Sequence, residues 1–512
     1  MQPFIRDRWS MFTSKKNSIA ALLLTALLSA CAAGPDFTRP TVPAATRYLP
    51  RDDLPDYVSA IGQTQHFDRF QSPDANWWQL FGSSALDQLV AQAIAGNPTL
   101  QSAQANLHES QDNLRAGEGV FFPQFNVGAD AARERISPYQ FGPHAAAGIF
   151  NLFTFSSVVS YALDVFGGER REVEGLRADV DAQRFTMEGA YLTLTSNVVN
   201  TAFARRAYAD EIAVLRLLLL AQSQQIDIVR TRVKSGAEAY GDLLSLQGAR
   251  ASNLAQLATL VEKRDEADHL LHALLGQSAD EPLPLDIDFK TLRLTSSLPL
   301  SLPSELVRQR PDIRVAEAQL HEASAQIGVA TAALFPSVTL TGEDGTAAPS
   351  ASTLDKSQNR FWNAGTDINA PVFQGGTRWY NRKAAIDAYQ KSRQDYRNTV
   401  LAAFEQVADV LKALQHDAEA LQANDEAARD AAQALGLVQA NYAAGLVNYI
   451  DVLTADMQYR ESNIAFVQAL AQRYQDTVAL YVALGGGWWR ASDDHARPLA
   501  RVDVPNQSGR RP

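Results

Sequence analysis

Four stretches of the chain, in two pairs, alternate apolar and polar residues with a period of two. In the longest, Phe153, Phe155, Val159, Tyr161, Leu163 and Val165 alternate with Thr154, Ser156, Ser160, Ala162 and Asp164. Its partner sets Phe125, Val127 and Ala129 against Asn126, Gly128 and Asp130. The second pair is weaker. Val338 and Leu340 stand against Ser337, Thr339 and Thr341, then Trp362, Ala364, Thr366, Ile368 and Ala370 against Asn363, Asp367 and Asn369. A period of two places each set on its own side of a strand. The longest run suffices to cross a bilayer. On this reading Val159 and Tyr161 face lipid, while Ser160 and Ala162 face a lumen.

The rest of the pattern is helical. No proline lies between Pro143 and Pro282, or between Pro371 and Pro498. Each gap finishes a strand and then runs on in Ala, Leu, Gln, Arg and Glu, all good helix formers. Gly168–Lys234 and Gly376–Ala444 read as helices of roughly 100 Å at 1.5 Å per residue. Helices this long imply coiled-coil packing. Tyr240–Leu275 and Tyr449–Leu484 return antiparallel. At each reversal a glycine, Gly236 or Gly445, can end one helix. Tyr240 with Asp242, and Tyr449 with Asp451, then begin the next.

The two tips belong to a longer duplication. Pro98–Pro123 aligns with Pro311–Pro336 without a gap, and eight of the 26 positions are identical, Leu107-His108-Glu109 and Leu320-His321-Glu322 among them. Copies of this length indicate a duplicated domain and not a solenoid. Each half reads as short helices, strand, loop, strand, long helix, tip and return helix. The fold class is mainly α with a membrane β portion. The divisions are 1–30 a signal segment, 31–75 an extended tether, 76–280 the first repeat, 281–303 a linker, 304–489 the second repeat and 490–512 a tail. Four strands cannot close a barrel, and an open sheet edge cannot sit in lipid. A membrane-crossing version needs several chains; three would supply twelve strands, within the range of outer-membrane barrels.

Composition changes this picture in two places. A hydrophobic share of 46% with 9% aromatics supports a folded core. A net charge of −11 argues against nucleic acid as a partner. The single cysteine, Cys31, permits no intrachain disulfide. Its position is informative: Lys15-Lys16 precede the apolar run Ile19–Leu28, and Leu28-Ser29-Ala30-Cys31 follows. This is the plan of a secretory signal, with an apolar run too short to span a bilayer. Met11 is an alternative start that leaves a signal of ordinary length.

Several short motifs, in this order, carry a family resemblance. They are Cys31-Ala32-Ala33-Gly34-Pro35-Asp36-Phe37, Trp77-Trp78, Asn97-Pro98-Thr99-Leu100, Arg310-Pro311-Asp312-Ile313, Leu334-Phe335-Pro336 and Leu484-Gly485-Gly486-Gly487-Trp488-Trp489. Together they resemble the TolC-type outer-membrane efflux channels, and most closely the NodT- and OprM-like lipoprotein branch that serves RND multidrug pumps. Leu28–Cys31 is similar to a lipobox. It implies cleavage before Cys31 and N-acyl and S-diacylglycerol lipid there, with no other cofactor; Ala32 implies sorting to the outer membrane. The resemblance further implies a homotrimer: a twelve-stranded barrel continued by a helical tunnel, whose tips face a periplasmic adaptor and an inner-membrane pump.

It also implies a gate at the tips, carried here by Tyr240, Asp242, Tyr449 and Asp451, with Ile450 as an apolar constriction. Where some members carry a further Asp, this chain has Thr454. The residues alone leave another reading open, in which the aspartates only cap helix starts. Arg230, Arg232 and Lys234 are candidate partners for these carboxylates across helices, or else lie on a solvated face. His269 and His272 share a helix face without a third metal ligand and read as solvated. The leading expectation is a passive channel. A pore-free periplasmic adaptor and a protein-secretion duct are the alternatives; a hydrolase lacks any nucleophile–base or metal constellation.

Overall fold

The computed structural model describes residues 32–41, 47–50, 55–69, 71–136, 148–283 and 287–488. The signal segment, Cys31 and the tail 490–512 lie outside the described residues. The elements of the first repeat are β1 (Tyr57–Ala60), β2 (Gln63–Arg69), α1 (Ser84–Gly96), α2 (Pro98–Glu118), β3 (Gln124–Ile136), β4 (Gly148–Leu163), α3 (Gly168–Lys234) and α4 (Tyr240–Leu275). The second has β5 (Ser297–Leu300), α5 (Pro303–Gln309), α6 (Pro311–Ala332), β6 (Ser337–Ala348), β7 (Arg360–Asn369), α7 (Thr377–Ala443) and α8 (Tyr449–Ala483). Each proline-free run thus holds a helix of 67 residues, as its composition predicts.

The chain forms two compact units. One comprises Met1–Pro40, Ala105–Arg184 and Val315–Arg397. It holds an antiparallel sheet in the order β3-β4-β6-β7, so the hairpins of the two repeats lie side by side. In it Val159 pairs with Phe125 and with Gly342, and Tyr161 pairs with Leu340. In the same unit the residues after position 31 are docked. The Ala33 amide donates to the Phe166 carbonyl at 2.8 Å. Arg171 reaches Asp36 at 2.6 Å and Glu174 at 2.7 Å, and Phe37 stacks on His321 with centroids 4.3 Å apart.

The other unit comprises Thr41–Gln104, Phe185–Arg314 and Asn398–Pro512. Its core gathers Trp77, Trp78 and Phe81 with Leu86, Leu89 and Val90 of α1, Val198, Val199 and Phe203 of α3, and Tyr474, Val478 and Tyr481 of α8. Two of the short motifs are structural joints here. Asn97 Oδ1 accepts the Leu100 amide at 3.1 Å to start α2, while Asn97 Nδ2 donates to the Leu274 carbonyl at 2.9 Å. Arg310 donates to Asp312 at 2.9 Å and to the Ala483 carbonyl at 3.0 Å, tying the start of α6 to the end of α8.

Two readings need correction. Residues 57–69, expected as tether, form the hairpin β1–β2, and the linker supplies β5, which pairs in parallel with β2. These strands are short, and the pairing of β2 with β5 joins segments far apart in the chain, so no local period announces it. His272 is buried, its ring nitrogens 2.7 Å from the Asp268 carbonyl and 2.5 Å from the Glu281 carbonyl. Among the described residues no group of His, Cys, Asp and Glu is arranged to hold a metal.

Candidate functional site

The two helix reversals share one backbone solution. Gly236 has φ 77° and Gly445 has φ 76°, left-handed values that cost glycine nothing. Around Gly236, Gly236 donates to Val233 at 3.1 Å and Ala237 to Arg232 at 2.9 Å. Around Gly445, Gly445 donates to Tyr442 and Leu446 to Asn441, both at 2.9 Å. Each is a Schellman stop, which satisfies the last carbonyls of the long helix.

The following helix starts differ. Asn448 and Asp451 form a capping box at the start of α8, the Asn448 amide donating to Asp451 Oδ2 at 2.8 Å. At the start of α4 the cap position is Ala239, which has no side-chain acceptor. Asp242 is exposed there, and Tyr240 is 63% exposed. The repeated Tyr-x-Asp pattern therefore does two jobs: Asp451 caps a helix, while Asp242 presents an exposed carboxylate.

The tips also meet. Ile450 packs against Ile226, Val229 and Leu243, so it joins α8 to the first hairpin. Tyr449 donates its hydroxyl to Gln224 Oε1 at 3.1 Å and lies 5.5 Å from the Tyr442 ring. Gln225 Nε2 donates to Thr454 Oγ1 at 3.4 Å. Gln224, Gln225, Tyr442 and Thr454 were not selected by the sequence as contacts; polar residues on a long helix look alike until a neighbour is known.

The basic residues do not reach the tip aspartates within this chain. Arg230 pairs with Asp227 at 2.5 Å, one turn away on its own helix, and Arg232 lies 3.7 Å from Glu238 of the turn. Lys234 is exposed. Local partners outcompete distant ones because less chain must be ordered to form them, and exposed pairs of this kind contribute about 0–1 kcal/mol each.

Charge is buried elsewhere in the same unit. Arg473 donates to the Leu414 carbonyl at 2.6 Å and to Gln65 of β2, and burial lowers its pKa to about 10. Burial, with Asp417 beside it, pushes Asp476 up to about 7. This network ties β2 to α7 and α8.

The register of the membrane sheet fixes its two faces. Phe125, Phe155, Val159, Tyr161, Leu340 and Ile368 share one, and Asn126, Thr154, Ser156, Ser160, Thr341 and Asn363 share the other. β3 and β7 are edges, each paired on one side only.

The sequence profile described as "Outer membrane efflux protein" matches residues 89–277 and again 302–486, one match per repeat. The chain belongs to the outer membrane efflux protein family. Members of this family are transport channels and not enzymes, and this one is the outer-membrane channel of a tripartite efflux pump. It is similar over nearly its whole length to Nodulation protein T of Rhizobium leguminosarum bv. viciae, 28% identical over 510 residues that cover 96% of this chain and 99% of the relative. It is 29% identical over 432 residues to the Pyoverdine export outer membrane protein OpmQ of Pseudomonas aeruginosa, covering 83% of this chain and 90% of that one. Among solved structures, the outer-membrane channel OprN superposes with a TM-score of 0.77 at 26% identity, covering 90% of this chain and all of OprN.

Proposed function

We propose that three copies of the chain close one twelve-stranded barrel. The trimer then serves as the passive exit duct for small toxic organic compounds, delivered by an RND-type inner-membrane pump through a periplasmic adaptor. The observation that carries this is the four-stranded sheet with one face rich in apolar side chains and two unpaired edges, β3 and β7. Such edges are tolerated in hydrocarbon only if another chain pairs with them. The relative in P. aeruginosa exports pyoverdine by its name, a cargo of small-molecule size.

Cys31 is the lipid anchor in this reading. The segment that follows it is seated by Arg171, His321 and the Phe166 carbonyl, beside the end of β4. Acyl chains on Cys31 then enter the bilayer close to where a barrel strand leaves it. Cys31→Ser removes incorporation of labelled palmitate while the trimer still forms, because the barrel itself holds the protein in the membrane. Undiminished labelling contradicts the assignment.

The tips are the periplasmic gate. Tyr240, Asp242, Tyr449, Ile450 and Asp451 narrow the entrance, held closed by the bonds of Tyr449 and Thr454 to α3. Three copies bring six carboxylates to one narrow region, which attracts cations. Asp242→Ala with Asp451→Ala raises resting conductance in planar bilayers and weakens cation preference at the entrance. Asn448→Pro removes the backbone amide that Asp451 accepts, and so breaks the same cap without removing charge. If it reproduces the effect of the double variant, Asp451 acts through its helix cap and not through its charge.

A further inference from the structure

The lumen face of the sheet carries more than neutral polar residues. Asp130, Glu134, Glu343 and Asp367 all stand on it, and their heights follow from the register. Asp367 pairs with Thr339, which pairs with Ala162. Glu343 pairs with Val158, Asp130 with Thr154, and Glu134 with Phe150. Measured along β4, the carboxylates occupy the levels of residues 162, 158, 154 and 150, one at every fourth residue. That spacing is about 14 Å along a strand. It exceeds the roughly 8 Å over which charge is screened at physiological salt, so the four do not combine into one binding site.

A second observation is the sorting of sign. Among the described residues of these strands no lysine or arginine stands on the lumen face. Arg133, Arg135 and Arg360 all stand on the opposite face, where Arg360 lies 3.6 Å from Asp344. A mixed surface made only for solubility would intersperse both signs. On the lumen face Asn363 Nδ2 donates to Glu343 Oε2 at 2.8 Å, which orients that carboxylate without neutralising it.

We infer that this ladder of carboxylates makes the barrel itself a charge filter, which passes cations and cationic amphiphiles in preference to anions. The inference rests on the channel reading with the polar face inward. In a closed trimer each rung becomes a ring of three like charges. A translocating cation then moves between successive attractive levels without being trapped, because no rung offers several ligands at once. An anion meets a repulsive potential at every level. The filter is separate from the tips, whose carboxylates belong to other elements.

The test is the reversal potential of the purified full-length protein in planar bilayers under a potassium chloride gradient. The parent protein is cation-selective. Replacing Asp130→Asn, Glu134→Gln, Glu343→Gln and Asp367→Asn together lowers the potassium-to-chloride permeability ratio by roughly threefold or more. Asp344→Asn, on the lipid side, leaves the ratio unchanged. Should the fourfold variant fail to assemble, Asp130→Asn with Glu343→Gln is read in the same way and shifts the ratio part of the distance. A variant that conducts with the parental reversal potential overturns the inference and leaves the channel standing. A parent protein that inserts as a trimer and carries no current overturns both.

Discussion

Val159→Arg prevents the chain from accumulating as an assembled outer-membrane protein, whereas Ser160→Arg is tolerated. The two positions are adjacent in β4, so the strand and its local backbone are shared. They differ in the face they occupy. Val159 pairs with Phe125 and Gly342 on the apolar face, where it is 42% exposed in the single chain. Ser160 pairs with Gln124 and Thr341 on the polar face. An arginine facing lipid near the bilayer midplane costs about 2–4 kcal/mol. A trimer carries that cost three times, and it falls on assembly as well as on folding. Facing a water-filled lumen, the same arginine keeps its hydration. The check is the yield of heat-modifiable oligomer in outer-membrane fractions for the two variants expressed at equal level. Equal loss, or equal tolerance, contradicts the assigned faces.

Trp77→Ala has the largest effect away from the membrane. Trp77 is 1% exposed, stacked on Tyr481 with centroids 5.6 Å apart and set edge-on to Trp78 at 5.8 Å. It seals the core that α1, α3 and α8 share, and no neighbouring chain is needed to bury it. Truncating a buried tryptophan removes its burial energy and leaves a cavity that a close-packed neighbourhood cannot refill, a loss of about 3–5 kcal/mol. The thermal midpoint of the purified protein falls accordingly. Trp77→Phe keeps an aromatic ring against Tyr481 and recovers part of the loss. A midpoint unchanged in Trp77→Ala contradicts this packing.

The sequence predicts the elements whose signal is local. A period of two places β3, β4, β6 and β7, and composition with proline absence predicts both long helices to within a residue at each end. Tip glycines mark the reversals because only a left-handed residue stops a helix this way. Partners are a different matter. That Ile450 packs on Ile226 and Val229, or that Tyr449 bonds to Gln224, depends on which helices become neighbours. The same holds for β5, a strand of four residues whose only announcement is its pairing with β2. Arg230 and Arg232 depend on neighbours in the same way: charge alone suggests a partner, while chain proximity supplies Asp227 and Glu238 within this chain. The carboxylate ladder was present in the sequence as Asp130, Glu134, Glu343 and Asp367. It became visible once pairing had put the four strands into one register.

In the proposed channel the edges β3 and β7 are completed by other copies of the same chain, and the closed assembly conducts. The most direct measurement takes the outer-membrane fraction, compares its migration with and without heating, and inserts the purified unheated species into planar bilayers. The chain of 512 residues has a mass of 55.9 kDa. The expected result is an unheated species of three chains that collapses to one chain on heating, with discrete conductance steps from the unheated form alone. A species that migrates as a single chain in both conditions, or a stable trimer that never conducts, would contradict it.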